Sequence, residues 1–326
     1  MMHLYLKNTL KLFRKTYSKI FFKTGLRKSN CEFDINIAHK LIYDILKKEK
    51  PCMIARFGST ELTCMHNYLG VKTNSIKKYI YGETGPIWWN KKIIIQMQNW
   101  SGFFPTTEKK VEQFCELMLK EIPEVDILGS WLNLESRFES YLKAAKVHLR
   151  LLEPFWSDKP WTTALEGKKV LVIHPFDKTI NSQYKKRKLL FRNNEVLPEF
   201  KLITIKAVQS LGQGDPRFKD WFEALDYMKT EIDKLDYDIC LIGAGAYGFP
   251  LAAHVKRKGK KAIHLGGALQ LLFGIKGNRW EDPNYGVKNW GVPRGSYTNL
   301  INEYWVRPDE DEKPKNASMV EGECYW

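Results

Sequence analysis

Short apolar runs alternate with helical segments through the second half of the chain, and this alternation restricts the fold more than any other feature of the sequence. Runs with the composition of buried strands occupy residues 168–176, 200–208, 237–245 and 260–267. Helical periodicity fills the segments between them, at 178–191, 220–235 and 250–260. A strand–helix–strand repeat predicts an α/β fold: a doubly wound, Rossmann-like, mostly parallel sheet flanked by helices, with ligands at the carboxyl ends of the strands.

The first half repeats the pattern less regularly. "PCMIARFG" (51–58) is typical of a buried strand, and "STELTCMHNYL" (59–69) of the helix that follows, with Ser59 or Thr60 as its N-cap. Further along we predict a strand in "VDILGSW" (125–131), a helix in "SRFESYLKAA" (136–145) and another strand in "VHLRLLEPF" (147–155).

The length of 326 residues allows one large α/β domain or two smaller ones, and a hydrophobic content of 44% excludes wholesale disorder. We assign the α/β domain to 31–305, after a basic amphipathic helical arm at 1–30. Proline, glycine and mixed polar residues make 157–168 the predicted internal linker. The charged segment 306–326 is predicted to be a surface tail whose apolar end, "CYW", is able to dock.

The formal net charge of +15 and the pI near 9.3 indicate an anionic binding partner, which is nucleic acid, an anionic membrane surface or a phosphorylated substrate. Much of this charge precedes the first carboxylate, Glu32, and comes from Lys7, Lys11, Arg14, Lys15, Lys19, Lys23, Arg27 and Lys28. An apolar stripe recurs among these residues at helical spacing and consists of Leu6, Leu10, Phe13, Tyr17 and Ile20. Such a helix either lies on anionic lipid or packs its stripe on the domain with a solvated basic face.

The six cysteines form no C-x-x-C pair, which favours a reducing compartment and no zinc site. No stretch reaches the roughly 18 uninterrupted apolar residues of a membrane span, and lysines break the N-terminal apolar residues, unlike in a signal peptide. We therefore expect a cytoplasmic protein, peripheral on the inner face of the plasma membrane if the arm binds lipid.

The first candidate site is the strand-to-helix turn "ARFGSTEL" (55–62). A helix N-terminus offers free N–H groups and a partial positive charge to an anion. Arg56 directly follows an apolar strand, where a charged side chain is unusual unless it binds something. Its planar guanidinium can donate two parallel hydrogen bonds to a phosphate. Glu61 is the candidate catalytic carboxylate, and Gly58, Ser59 and Thr60 are candidate substrate contacts. The alternative is that Glu61 only favours the helix dipole and Arg56 is its surface ion-pair partner.

The second candidate is "GAGAYG" (243–248), which satisfies G-x-G-x-x-G after a strand and before a helix, with Gly243, Gly245 and Gly248 as candidate diphosphate contacts. A nicotinamide enzyme would carry an acidic residue about 20 residues further on, where this chain has Ile263 or His264. This weakens the NAD(P) interpretation and leaves a sugar-nucleotide diphosphate. The alternative is that the glycines serve tight packing only.

Other strand ends complete the set. His174 is a candidate base or phosphate donor, and a lone histidine is structural about as often. Weaker substrate-binding candidates are Lys206 and Gln209, and the end of the last strand adds His264, Gly266 and Gly267.

These segments resemble the GT-D fold glycosyltransferases, bacterial enzymes that transfer a sugar from a nucleotide sugar during glycan assembly. Their Arg-Phe-Gly-Asp-Gly-Glu-Leu signature is similar to "ARFGSTEL", and their carboxyl-terminal strand, glycine turn, helix and strand resemble 241–267. The resemblance brackets 50–270 and is loose in the middle. It implies a Rossmann-like sugar transferase whose Asp-x-Glu pair binds the donor diphosphate with Mn²⁺ or Mg²⁺. Here Ser59-Thr60-Glu61 replaces that pair, which leaves Glu61 as the implied metal ligand. Ser59 offers only a hydroxyl, which is a poorer ligand for a hard divalent cation than a carboxylate.

The sequence therefore predicts a glycosyltransferase that uses a nucleotide-diphosphate sugar and a glycan or lipid-linked acceptor in bacterial surface polysaccharide assembly. Two alternatives remain open. One is an NAD(P)-dependent oxidoreductase built on the glycine loop. The other is a non-catalytic polyanion-binding protein, although no nucleic-acid-binding module is recognised and nucleic acid is not the expected partner.

Overall fold

A computed structural model describes residues 4–21, 26, 30–212, 214–314, 317–319 and 323–326. In this part of the chain the strands are β1 (Cys52–Ala55), β2 (Ile127–Ser130), β3 (Ala145–His148), β4 (Lys169–His174), β5 (Lys201–Lys206), β6 (Ile239–Ile242) and β7 (Lys261–His264). They form one sheet of order β3-β2-β1-β7-β6-β4-β5, in which every neighbouring pair is parallel. The predicted α/β fold is confirmed.

Helices lie on both faces of this sheet. The longer ones are α1 (Leu4–Phe21), α2 (Ile35–Lys47), α3 (Ser59–Thr73), α5 (Lys91–Ser101), α6 (Glu108–Glu121), α7 (Asp177–Tyr184), α9 (Trp221–Asp233) and α10 (Gly248–Arg257). The shorter ones are α4 (Ile76–Ile80), α8 (Arg187–Leu190), α11 (Leu269–Leu272), α12 (Asn278–Glu281) and α13 (Val287–Trp290). No helix in the described ranges is both long and apolar enough to cross a membrane.

The inner strands β1, β2, β4, β6 and β7 are almost completely buried because both faces of the sheet are covered, whereas the edge strands β3 and β5 are partly exposed. Successive side chains point to opposite faces. Met53 and Ala55 of β1 therefore pack into one core with α3, α6, α9 and α10, whereas Cys52 and Ile54 pack into a second core with α2 and α11. The sheet is thus the shared wall of two hydrophobic cores.

Two predicted elements near β2 and β3 are wrong. The helix expected at 136–145 is a single 3₁₀ segment, Asn133–Phe138. The strand expected at 147–155 is β3, which begins earlier and ends at His148, and the chain then turns into a 3₁₀ helix, Leu149–Leu152. The apolar spacing was compatible with either structure, since short apolar runs do not distinguish a strand from a helical turn.

The predicted linker and tail both contain buried residues. Within 157–168, the 3₁₀ helix Trp161–Leu165 packs under α2, and the Trp161 backbone N–H donates to His39 Nδ1 over 3.3 Å. In the tail, Glu312 is buried against Thr179, and Cys324 and Trp326 are buried at the carboxyl edge of the sheet. The tail is therefore no surface arm, and its "CYW" end docks.

The N-terminal arm forms α1, whose predicted apolar stripe divides between two sides of the helix. Leu10 is buried, and the Tyr17 ring stacks on Tyr81 with a centroid distance of 4.8 Å. Arg14 donates to the Thr84 carbonyl over 2.9 Å, which fixes α1 beside α4. The other members of the stripe, Leu6, Phe13 and Ile20, are exposed. The basic residues Lys23, Arg27 and Lys28 lie outside the described residues.

Candidate functional site

A cavity of about 340 Å³ lies over the carboxyl ends of β1, β2, β3, β6 and β7. Each of these strands leads into residues that line it, because parallel strands all end at the same edge of the sheet. The lining residues that directly follow strands include Arg56, Trp131, Leu149 and Leu265. The cavity therefore brings together segments far apart in sequence.

Arg56 is the cation that β1 delivers to this cavity. Its guanidinium carbon lies 5.4 Å from the centre of the Trp131 ring, and Trp131 Nε1 donates to the Phe57 carbonyl over 3.1 Å, which holds the indole in place. Arg56 is half-buried, yet it makes no hydrogen bond or ion pair with any described residue. A half-buried guanidinium with no hydrogen-bond or ion-pair partner in the described part of the chain keeps its N–H donors available to an anion.

The N-terminus of α3 lies directly behind Arg56. Its N-cap is Gly58, and no side chain caps the first turn, whose N–H groups have no partner within the helix. Phe57 anchors the turn by stacking on Phe249 of α10 at 5.0 Å. Ser59, Thr60 and Glu61 line the cavity from this turn, as the sequence predicts.

Glu61 folds back over Gly58. A Cβ at position 58 would lie 1.8 Å from Glu61 Oε2, so glycine is required for this side-chain position. Glu61 forms no ion pair with Arg56, and its carboxylate accepts no hydrogen bond from the described residues. The alternative of a simple ion pair across the turn is therefore wrong. The Arg56 guanidinium and the Glu61 carboxylate both line the cavity without pairing with each other.

The glycines of the second turn serve two different purposes. Gly245 has φ +52° and lines the cavity, and a Cβ there would find only the Ser101 carbonyl, at 3.9 Å. A Cβ at Gly243 would lie 2.6 Å from the His174 ring and 2.8 Å from the Gly266 carbonyl oxygen. A Cβ at Gly248 would lie 2.2 Å from the His264 ring. Packing thus explains Gly243 and Gly248, and Gly248 does not line the main cavity, where its predicted role as a substrate contact would place it.

The two histidines behind these glycines are buried and neutral. Burial lowers the pKa of His174 to about 3, and its Nδ1 accepts the Phe176 N–H over 3.1 Å, so the ring proton is on Nε2. This tautomer can donate a hydrogen bond but has no free lone pair, which does not fit the predicted role of a base. Burial, and then the charge of Arg56, lower the pKa of His264 to about 3, and its Nδ1 lies 3.3 Å from the Ile242 carbonyl.

The remaining predicted residues separate into three places. His264, Gly266 and Gly267 line the main cavity with Arg56. His174 and Gln209 line a smaller neighbouring cavity of about 120 Å³. Lys206 is exposed at the end of β5 and faces an open depression on the other side of Gln209, so the structure does not bring it to Arg56. The physical reason is that β5 is the edge strand farthest from β1 among β4–β7.

The wall between the two cavities is formed by the tail. The Tyr325 ring occupies the space beside Gly267, where a Cβ would lie 2.1 Å from it, and Tyr325 lines both cavities. Arg279 stacks on this ring at 4.7 Å and donates to Tyr325 Oη over 3.3 Å. No local motif marks these two residues, and only the fold brings them to Arg56.

Glu153 is the functional candidate that the sequence prediction missed. It follows the 3₁₀ helix after β3 and lines the main cavity. Burial raises its pKa to about 7, although hydrogen bonds from Trp156 and Tyr297 and the charge of Arg150 oppose the rise. A carboxylate inside the apolar run "VHLRLLEPF" was the available signal, since a buried acid is uncommon without a partner.

The residues around Glu61 do not fit a resident metal ion. The described residues contain no group of three or more His, Cys, Asp or Glu side chains placed to hold one, and Ser59 offers a hydroxyl where the resemblance implies a carboxylate. We derive no chemical step through a metal.

No protein-family model matches the chain, and no curated protein matches it. It is similar to a solved structure titled as a selenomethionine-substituted domain of unknown function 1792 (DUF1792), with 12% sequence identity and a TM-score of 0.40 over 91% of this chain and 98% of that chain. A likeness at this level says nothing about function.

Proposed function

We propose that the protein is a glycosyltransferase that moves a sugar from a nucleotide-diphosphate sugar to a glycan or lipid-linked acceptor in bacterial surface polysaccharide assembly. The observation that carries this proposal is Arg56: a half-buried guanidinium that makes no hydrogen bond or ion pair with the described residues, beside an uncapped helix N-terminus, in an aromatic-lined cavity. These groups line the same cavity, and together they match the charge of a diphosphate.

Several features favour a leaving diphosphate in particular. The first-turn N–H groups of α3 and the guanidinium would meet negative charge that develops as the bond to the sugar breaks. Gly245 and Gly266, both at positive φ, line the same cavity without side chains, which lets a phosphate approach their backbone. The glycine turn therefore contributes one open position to the proposed donor site.

The rest of the cavity suits a sugar and its acceptor. Trp131, Trp280, Tyr285 and Trp290 line it with flat apolar faces, and Glu61 and Glu153 supply carboxylates that can bind hydroxyl groups. The volume of about 340 Å³ is within the range of small-molecule sites, roughly 300–1,000 Å³, and a duplex or a folded polyanion does not fit it.

The nicotinamide alternative has less support. Two of the three glycines of its motif are explained by packing on His174 and His264. The next strand, β7, ends in the buried His264 where an acidic residue would bind the ribose hydroxyls.

Titration calorimetry separates these functions. We expect the wild-type protein to bind at least one member of a panel of nucleotide sugars and not NAD(P), and we expect Arg56→Ala to abolish the binding. Arg294→Ala is the matched control, because Arg294 is an exposed arginine that lines none of the cavities described above. Binding of NAD(P) without any nucleotide sugar would overturn the proposal in favour of the oxidoreductase.

We propose further that α1 binds an anionic membrane surface. At 100° per residue, an arc of about 120° on its outer side has no charged residue. This arc consists of Tyr5, Leu6, Thr9, Leu12, Phe13, Thr16 and Ile20, and its apolar members are exposed. Lys19 borders one edge of the arc, where it would meet lipid phosphates, and Lys15 and Lys11 follow it around the helix at intervals of about 40°.

Liposome flotation tests this surface. The double variant Phe13→Ser/Ile20→Ser is expected to float less with anionic vesicles than the wild type, and neutral vesicles should bind both weakly. Ile95→Ser on α5 is the control, since Ile95 and Phe13 are both 56% exposed and only Phe13 belongs to the basic helix. Equal flotation of all three proteins would show that α1 is no anchor.

A further inference from the structure

We propose that Glu153 is the catalytic base that takes the proton of the acceptor hydroxyl. This assignment rests on the proposed sugar transfer and deepens it, because it places the acceptor at the β3 side of the cavity. Glu153 lines the same cavity as Arg56 but follows β3, and β2 lies between their two strands.

The geometry fixes one carboxylate oxygen and leaves the other available. Oε2 accepts two hydrogen bonds, from Trp156 Nε1 over 2.6 Å and from Tyr297 Oη over 2.8 Å. The rings of these two donors pack edge to face at 5.0 Å, which holds both in position. Oε1 accepts no hydrogen bond from the described residues, and it is not sealed from the cavity. The side chain is therefore oriented in advance, with a free acceptor atom.

The surroundings of Glu153 bring the pKa of its carboxyl close to physiological pH. Burial raises the pKa of Glu153 to about 7. The charged and titratable groups around it are Arg150, whose guanidinium stacks on Trp156 at 4.3 Å, Tyr297, Tyr285, and Arg56 and Arg279 elsewhere on the cavity wall. A general base works best when its pKa is close to the pH at which it operates.

The proposed step balances within the substrates and this carboxylate. The acceptor oxygen forms a bond to the anomeric carbon while its proton moves to Glu153 Oε1. The bond between the anomeric carbon and the diphosphate oxygen breaks, and its electron pair stays on that oxygen, where Arg56 and the N-terminus of α3 meet the charge. No other reactant is needed. A single displacement of this kind inverts the anomeric configuration.

The first test uses Glu153→Gln, which keeps an oxygen for Trp156 and Tyr297 and removes the ability to take up a proton. We expect donor affinity to stay within about twofold of the wild type, turnover to slow by about a hundredfold or more, and the acid limb of the pH–rate profile to disappear. Formate should restore part of the activity of Glu153→Ala. Glu312→Gln is the control, because Glu312 is also buried and hydrogen-bonded but lies in the tail against Thr179.

The second variant, Tyr297→Phe, distinguishes a base from a structural carboxylate. Removing one hydrogen bond to the ionised form should raise the pKa of Glu153 and move the acid limb to higher pH by about half to one unit. An unmoved acid limb, an active Glu153→Gln enzyme, or a product that retains the anomeric configuration would each overturn the assignment. A wild-type protein that neither binds nor consumes any nucleotide sugar would instead overturn the proposed function, and this assignment with it.

Discussion

Two strand-to-helix turns border the same cavity, and they use their glycines differently. In the turn from β1 to α3, Gly58 makes room for the carboxylate of Glu61, and the neighbouring Arg56 has no hydrogen-bond or ion-pair partner among the described residues. In the turn from β6 to α10, Gly243 and Gly248 make room for buried histidine rings. The first turn presents charges to the cavity, whereas two of the three motif glycines in the second turn pack the sheet.

This difference shows which kind of signal indicates a binding site. A G-x-G-x-x-G pattern is satisfied equally by a phosphate cradle and by close packing, because both require a missing Cβ. A half-buried charge without a partner has no such structural explanation, since leaving it unpaired costs free energy. The predictions below test the comparison from its strongest consequence to its weakest.

Arg56→Ala should have the largest effect, lowering kcat/KM for the nucleotide sugar by about a hundredfold or more, which corresponds to about 3 kcal/mol. The thermal midpoint should barely change, because Arg56 makes no hydrogen bond or ion pair with the described residues. Arg56→Lys should recover only part of the activity, as an ammonium cannot form the bidentate contact. Unchanged turnover in Arg56→Ala would remove the first turn from the site.

Gly58→Ala should lower transfer about tenfold with little loss of stability. Gly58 has φ −75°, which alanine tolerates, but its new Cβ would displace Glu61 Oε2, which is 1.8 Å from that position. Glu61→Gln leaves the backbone untouched and should lose at least as much activity. Steady-state kinetics and thermal midpoints of both variants show whether Glu61 takes part in transfer. Full activity in both would mean that Glu61 only stabilises the N-terminus of α3 through the helix dipole.

Gly243→Ala and Gly245→Ala should separate packing from binding within the second turn. Gly243→Ala is expected to lower the free energy of unfolding by roughly 1–3 kcal/mol, because its Cβ would meet the Gly266 carbonyl oxygen at 2.8 Å. Gly245→Ala should cost about 1 kcal/mol for the positive φ and should weaken donor binding. The same donor affinity in both folded variants would contradict the division of roles.

The sequence allowed the sheet and part of the cavity lining to be predicted. Strands β1 and β4–β7 lie within short, mainly apolar runs bounded by turns, and the strand-end rule placed Arg56, Glu61 and Gly245 at one edge. Glu153 was not predicted as a site residue because 147–155 was assigned to a strand, in which a carboxylate would face solvent or pair with a neighbouring residue. Arg279 reaches the cavity through packing of distant segments, and no local pattern records such contacts.

The smallest effect expected at neutral pH concerns the protons of the histidines that the second turn packs against. The pKa of His174 is about 3 in the folded protein and about 6.5 when unfolded, so the unfolded state binds the extra proton between these values. Stability is therefore fully present above about pH 6.5 and is lost as the pH falls, by up to about 1.4 kcal/mol per pH unit for each such histidine.

His174→Asn should flatten this slope. Its Oδ1 can accept the Phe176 N–H in place of Nδ1, but it takes up no proton. We measure the free energy of unfolding in urea as a function of pH. Between pH 6 and 4 its slope should be smaller in the variant than in the wild type by the contribution of about one proton, and above pH 7 the slopes should be equal.

The other titrating groups do not affect this comparison. His39, His66 and His264 titrate in both proteins and cancel in the difference. Glu153 has the opposite sign, because its raised pKa makes it favour folding below about pH 4.5 and lose that contribution as the pH rises through about 7. It also cancels. Identical slopes at pH 4–6 would mean that His174 is hydrated in the folded protein, and the second turn would then border an open, titratable site instead of a packed ring.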